Sequence, residues 1–135
     1  MGNKTLVDTC VLLDIFGDDP AWGEWSHEQV KQAHTEGGLV INPMIYTETS
    51  LNFKDIEILD TALSPKTYKR EDLPWKACFL AGRAFKKYRR RGGTKSAPMP
   101  DHYIGAHAAV EGYRLLTRNP RDFRSYFPDV EIISP

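Results

Sequence analysis

Short apolar runs alternate with longer amphipathic stretches along the chain. Thr5-Leu6-Val7 is β-prone, lacks polar alternation and ends at Asp8, which predicts a strand covered on both faces. Thr9 to Phe16 leads into a helical turn, and Gly17-Asp18-Asp19-Pro20 is strong turn chemistry. Trp22 to Thr35 is polar but carries Trp22, Trp25, Val30 and Ala33 at helical spacing, an amphipathic helix closed by Gly37-Gly38. Leu39-Val40-Ile41 reads as a second buried strand. Asn42 then Pro43 is an N-cap followed by proline at the first helical position, and that helix is expected to reach about Phe53.

Asp55 to Leu63 predicts a short helix with Ile56, Leu59 and Leu63 on one face, stopped by Ser64-Pro65. A polar loop then runs through Leu73. Trp75 to Arg90 predicts a longer helix whose apolar positions are Trp75, Phe79, Leu80, Ala84 and Tyr88, with Gly92-Gly93 at its end. After a loop from Thr94 to Pro100, Asp101 to Glu111 reads as a helix stopped by Gly112. Tyr113 to Thr117 reads as a strand, followed by a polar loop holding Asp122, and Val130 to Ile133 as a last strand. Strands alternating with helices imply an α/β fold with a parallel sheet flanked by helices. Strands this short favour a compact three-layer sandwich, and 135 residues suit one domain, 1–135.

Composition narrows the class only slightly. Lysines and arginines number 18, as do aspartates and glutamates, so net charge by itself does not favour nucleic acid. Cys10 and Cys78 form no CxxC pair and no zinc spacing, and so few thiols suit a reducing compartment. The apolar run from Leu6 to Ile15 is broken by Asp8 and Asp14 and is too short for a membrane span. A cytoplasmic protein with no membrane partner is expected.

Four acids stand out by placement. Asp8 ends the first apolar strand, where a carboxylate among apolar residues is costly unless paired or metal-bound. A helix N-cap is the plainer explanation for it. Glu48 shares a helical face with Met44, Ile45 and Leu51 and so interrupts an apolar stripe. Asp101 heads the stripe Ile104, Gly105, Ala108, although an acid in the first turn is also ordinary dipole chemistry. Asp122 follows Leu115-Leu116-Thr117 in RNPRDF, where it serves equally well as a turn residue. Each lies at a strand's C-terminal end or on a core-facing helix side, the edge at which such sheets bind ligands. Carboxylates gathered there repel unless a cation joins them, and oxygen-only sites suit Mg²⁺ or Mn²⁺.

The segments VDTCVLLDIF, NPMIYTETSLN, MPDHYIGAHA and LLTRNPRDF, in this order, resemble the PIN domain and, more closely, the VapC/FitB-like ribonuclease toxins of bacterial toxin–antitoxin pairs. The resemblance spans nearly the whole chain. It implies a PIN-like parallel sheet with an acidic pocket for Mg²⁺ or Mn²⁺, RNA as substrate, a homodimer, and a small antitoxin protein as inhibitor. Asp8, Glu48 and Asp101 match the family's core acids and Thr9 its hydroxyl residue after the first acid. Asn52 and Thr117 fall at supporting positions. Asp122 matches the fourth acid, and Asn119 stands where many relatives carry aspartate, which makes it a candidate water-mediated ligand. The expected reaction is RNA cleavage by metal-activated water.

Around these acids lie bases. Arg118 and Arg121 abut Asp122 and are expected to hold RNA phosphates. The acid-free segment Arg83, Lys86, Lys87, Arg89, Arg90, Arg91, Lys95 is equally readable as a solvated helix face. His102 and His107 read as structural, and Trp22, Trp25 and Trp75 as packing residues. Three rivals remain: a DNA-acting nuclease of the same fold, a non-catalytic module whose acids bind a partner's arginines, and a phosphoacceptor domain. The last lacks the expected lysine-bearing strand end, since Thr117-Arg118 stands there.

Overall fold

A computed structural model describes residues 3–135; the first two residues of the single-domain reading lie outside the described residues. The elements follow in the order β1 (Thr5–Val7), α1 (Thr9–Phe16), α2 (Gly23–Glu36), β2 (Leu39–Ile41), α3 (Pro43–Ser50), α4 (Ile56–Ala62), β3 (Tyr68–Arg70), α5 (Trp75–Arg90), α6 (Pro100–Glu111), β4 (Arg114–Leu116), α7 (Pro120–Tyr126) and β5 (Ile132–Ile133). The strands form one sheet in the order β3-β2-β1-β4-β5, and every pairing is parallel. Leu6 sits beside Val40 on one side and Leu115 on the other. β1 and β2 are buried at every position, as their unbroken apolar sequences require of central parallel strands.

This order reverses direction at β1. Chain connections run from β1 to β2 and β3 on one side, and from β4 to β5 on the other. Right-handed crossovers therefore place helices on both faces. The crevice outside the C-terminal ends of β1 and β4 is the switch point of the sheet, where ligands of open α/β folds bind. The core is filled by Leu6, Val7, Val40, Ile41, Leu115 and Leu116 from the strands, and by Leu12, Ile45, Leu63, Ile104 and Phe123 from outside them.

Local chemistry explains several element ends. Asn42 accepts from the Ile45 amide at 3.0 Å with Pro43 behind it, the predicted cap. Asp55 does the same for α4 through Ile58 at 3.0 Å. Gly112 closes α6 in the left-handed conformation, φ 71°, which glycine adopts without a Cβ penalty.

Four expectations need correction. The loop through Leu73 contains β3, whose Lys69 and Arg70 are exposed beyond a buried Tyr68. An edge strand needs no apolar alternation, and charged residues protect its free side. The loop holding Asp122 is helix α7, capped at Asn119 with Pro120 at its first position, the same signal that marks α3. Helix α3 ends at Ser50 rather than Phe53. Helix α5 has the predicted limits, and Ala84 is buried and Leu80 packs on the core as expected, but the inward face is centred on Ala77, Ala81 and Ala84, while Trp75 and Phe79 are 90% and 65% exposed. Small residues win because they let α5 approach α6 closely.

Gly105 shows how tightly α6 is seated. A Cβ there would stand 2.3 Å from the Phe127 ring and 3.1 Å from Phe123, and both rings are buried. Gly105→Ala should gain about 1 kcal/mol of helix propensity and lose about 1–3 kcal/mol to overpacking. We expect a net loss of stability, read as a lower urea midpoint; a midpoint at or above wild type would show that the aromatic pair has room to yield.

Candidate active site

Asp8 follows β1 directly and is 6% exposed. Its carboxylate has two separate tasks. Oδ1 accepts from the Thr9 amide at 2.8 Å and so caps α1. Oδ2 accepts from the Thr117 hydroxyl at 2.7 Å, and the Cys10 thiol also reaches it at 3.4 Å. The cap and the site residue are thus one residue, and Thr117 ties the end of β4 to the end of β1. Burial raises the Asp8 pKa, against the pull of Thr117, Cys10, the Thr9 amide and the more distant Arg118 charge.

Glu48 is half-buried on α3, and its Oε1 accepts from the Thr9 hydroxyl at 2.8 Å. Its pKa is raised, first by burial and then by the Asp8 charge. Asp101 lies in the first turn of α6. Solvent reaches it, yet protein flanks it, and its pKa is pushed up to about 7 by burial and then by Asp8, Glu48 and Asp122. Asp101 therefore feels all three other acids. Asp122, exposed in the first turn of α7, lines a cavity of about 300 Å³ together with Asp101, Tyr88, Arg91, His102 and Tyr126. Three of the acids sit at the N-termini of α1, α6 and α7, whose positive dipole ends temper the repulsion.

The hydroxyls of Thr9 and Thr117 each donate to one acid, Glu48 and Asp8 respectively. Asn119 is exposed and makes no side-chain cap bond; its backbone amide donates to Thr117 Oγ1 at 3.0 Å. Asn52 is not brought to the site: α3 has already ended, and the residue lies exposed in the following turn. Arg118 is a second correction. Its Nη2 donates to Asp14 Oδ1 at 3.0 Å and its Nε to Asp14 Oδ2, while its guanidinium lies 5.3 Å over the Trp22 ring. So engaged, it locks α1 to the segment after β4 instead of presenting itself to phosphate. Arg121 remains exposed beside Asp122.

Sequence reasoning misses Asp14 as a structural acid. It is 3% exposed and accepts from Ser26 Oγ at 2.7 Å as well as from Arg118. The signal was an acid inside the apolar run LLDIF. His102 is structural as expected, its Nδ1 accepting from the Met99 amide at 2.9 Å, with Phe85, Tyr88 and Tyr126 around its ring.

The four acids gather within electrostatic range. Among the described residues, no three acidic, histidine or cysteine side chains close onto a single ion-sized point. The donor set nevertheless fits a hard divalent cation. It is all carboxylate oxygen, and the pKa values of Asp8, Glu48 and Asp101 are raised, first by burial and at Glu48 and Asp101 also by neighbouring acids, so the charged forms are disfavoured in a way that a bound cation would relieve.

The pH consequence has a definite sign. A carboxyl whose folded pKa is raised binds its proton more tightly when folded, so stability falls as pH rises from about 4 to about 7. Asp101→Asn should remove that loss. In chelator, its melting temperature should exceed wild type by a margin that grows across this window and levels above pH 7. A margin independent of pH would deny that Asp101 carries the repulsion.

The fold is shared with solved structures. VapBC2 from Rickettsia felis, in a complex bound to a promoter DNA fragment, aligns at TM-score 0.73 and 15% identity over 97% of this chain and 98% of that one. FitAcB from Neisseria gonorrhoeae aligns at 0.70 and 16% over 96% of each. A toxin–antitoxin complex from Klebsiella pneumoniae aligns at 0.67 and 20% over 88% and 89%. No family model and no curated protein matches the chain. The parallel-sheet PIN-like fold implied by the sequence motifs is the fold of the chain.

Proposed function

We propose that the chain is a Mg²⁺- or Mn²⁺-dependent endoribonuclease, the cytoplasmic toxin of a toxin–antitoxin pair. The observation that carries this reading is the convergence of Asp8, Glu48, Asp101 and Asp122 at the switch point of the sheet, with Asp101 feeling the charge of the other three. The fold likeness to VapBC and FitAB complexes supports it, and no helix of the described residues is long and apolar enough to cross a membrane. A small antitoxin partner and a homodimer belong to the same proposal.

Asp8, Glu48 and Asp101 would hold the cation, and Asp122 would complete the site. When bound, such an ion supplies a Lewis acid for the phosphodiester and acidifies a water molecule. The remaining work falls to the protein. Thr9 and Thr117 orient Glu48 and Asp8 by donating to them. Asp101, half protonated near neutrality without a cation, yields its proton as the site loads, which makes metal binding stronger as pH rises. Exposed Arg121, next to Asp122 in the chain, would hold a substrate phosphate.

A second reading rests on the acids not closing onto one point: a non-catalytic pocket that receives a partner's arginines. RNA and DNA oligonucleotides incubated in parallel with Mn²⁺, Mg²⁺ or chelator separate the alternatives. We expect RNA cleavage that requires either ion, falls to background in Asp8→Asn, and drops about 10–100-fold in Thr117→Val, the cost of losing a carboxylate's supporting hydrogen bond. Wild-type rates in Asp8→Asn would sink the assignment, cleavage confined to DNA would change the substrate, and metal-independent protein binding without hydrolysis would favour the pocket.

A further inference from the structure

The basic end of α5 is the group of residues that the acid site leaves unexplained. Arg83, Lys86, Lys87 and Arg90 are exposed, and among the described residues none of them makes an ion pair with an acid. With Leu80, Ala84, Tyr126 and Phe127 they line a depression of about 270 Å³ that contains no acidic residue. Tyr126 and Phe127 also line the cavity that holds Asp101 and Asp122. The two depressions therefore adjoin at Tyr126 and Phe127, Asp101 and Asp122 lining one and the four cations the other.

Arg91 stands at the junction and is held there. Its guanidinium lies 4.9 Å over the Tyr126 ring and it donates to Ser125 on α7. The helix end that carries it is fastened as well. The Thr94 and Lys95 amides both donate to the Tyr88 hydroxyl at 3.1 Å, Arg89 donates to the Gly93 and Lys95 carbonyls at 3.2 and 3.1 Å, and Gly93 presses on the Tyr88 ring so closely that a Cβ would stand 2.3 Å from it. A guanidinium pinned by stacking is pre-organised for phosphate and offers a flat face to a base.

We propose that this surface is the substrate track: a single-stranded RNA lays its backbone along Arg83, Lys86, Lys87 and Arg90 and passes Arg91, where the nucleotide next to the cleaved phosphate occupies the cavity between Tyr88, Tyr126 and the acids. The inference rests on the ribonuclease reading and extends it to direction and contact residues. Helical geometry supports a continuous track, since Arg83 to Arg91 spans about 12 Å and residues three and four apart share a face. A polyanion explains both ends together, because one phosphate can meet the cation-loaded acids while its neighbours meet the bases.

The test is the salt dependence of binding of a labelled twelve-nucleotide oligouridylate to the full chain in chelator, read by anisotropy. The triple variant Lys86→Ala, Lys87→Ala, Arg90→Ala should flatten the log–log salt slope by about 2, at roughly 0.7 per phosphate contact, and weaken binding at least tenfold at low salt. A control triple at exposed Lys31, Lys54 and Lys66, all to alanine, should keep the wild-type slope. Equal slopes in both triples, or displacement of the RNA by poly-glutamate at matched charge, would overturn the track and leave a general cationic or acidic-protein surface. RNA cleavage with Mn²⁺ alongside an unaffected slope would defeat the track alone. A wild type that binds through these residues yet cleaves nothing would defeat the ribonuclease reading and keep the track, and absence of both binding and cleavage would defeat both.

Discussion

The hydrogen bond from Thr117 to Asp8 is the constraint on which the site depends. It joins the C-terminal ends of two adjacent parallel strands, and it does so with a carboxylate that is almost wholly buried. Such a carboxylate is unfavourable by itself. It is sustained by the Thr9 amide, the Thr117 hydroxyl and the Cys10 thiol, with one oxygen turned to α1 and the other to β4. Thr117 stands immediately after β4 and Thr9 and Cys10 open α1 just after β1, so the pairing of the two strands sets the geometry of the carboxylate. Glu48 is drawn into the same arrangement through Thr9, whose amide serves Asp8 and whose hydroxyl serves Glu48.

Charge is then distributed in a way that no net count reveals. Negative charge is concentrated where helix N-termini meet, and positive charge where α5 ends, with aromatic side chains between them. The ends of α5 and α7 are joined through Arg91, Tyr126 and Ser125, which fixes acid and base surfaces relative to one another. Arg118 has been withdrawn from this distribution. Beside the buried Asp14 it acts as a structural clamp, and its charge reaches Asp8 only as a long-range pull on the pKa.

Much of this was legible in the sequence because burial leaves an apolar trace. β1 and β2 have the predicted limits, Asn42-Pro43 opens a helix as predicted, and Asp8, Glu48 and Asp101 were each marked by an acid standing among apolar neighbours. What was illegible lacked that trace. β3 is an edge strand and reads as polar. α7 is a single short helix in which Phe123 is the one fully buried side chain. In α5, the large residues Trp75 and Phe79 widen the apparent apolar face, whereas the alanine stripe Ala77, Ala81, Ala84 is what close helix packing selects. The Arg118 expectation failed for another reason: adjacency to Asp122 in sequence outweighed the more distant Asp14, and nothing local predicts a bond across 104 positions.

The helices that bring Glu48 and Asp101 together are themselves joined out of sight of the acids. Asn42, the cap of α3, uses its Oδ1 for the Ile45 amide, so its Nδ2 must be the donor that meets His107 Nδ1 at 3.0 Å. That bond fixes the tautomer of a fully buried histidine on α6: Nδ1 accepts, and Nε2 carries the hydrogen toward Glu71 Oε1 at 3.5 Å. Glu71 accepts from the Tyr113 hydroxyl at 2.8 Å, just before β4, and its flank is approached by Lys4 and Lys69. The Asn42–His107 bond joins α3 to α6, and Glu71, Tyr113 and the two lysines connect the entries or exits of β1, β3 and β4, with His107 Nε2 facing Glu71 without closing a hydrogen bond to it. Burial lowers the His107 pKa, which favours the neutral ring that the Asn42–His107 bond requires. The helices that carry Glu48 and Asp101 are thus held to each other by a buried hydrogen bond in which neither acid takes part.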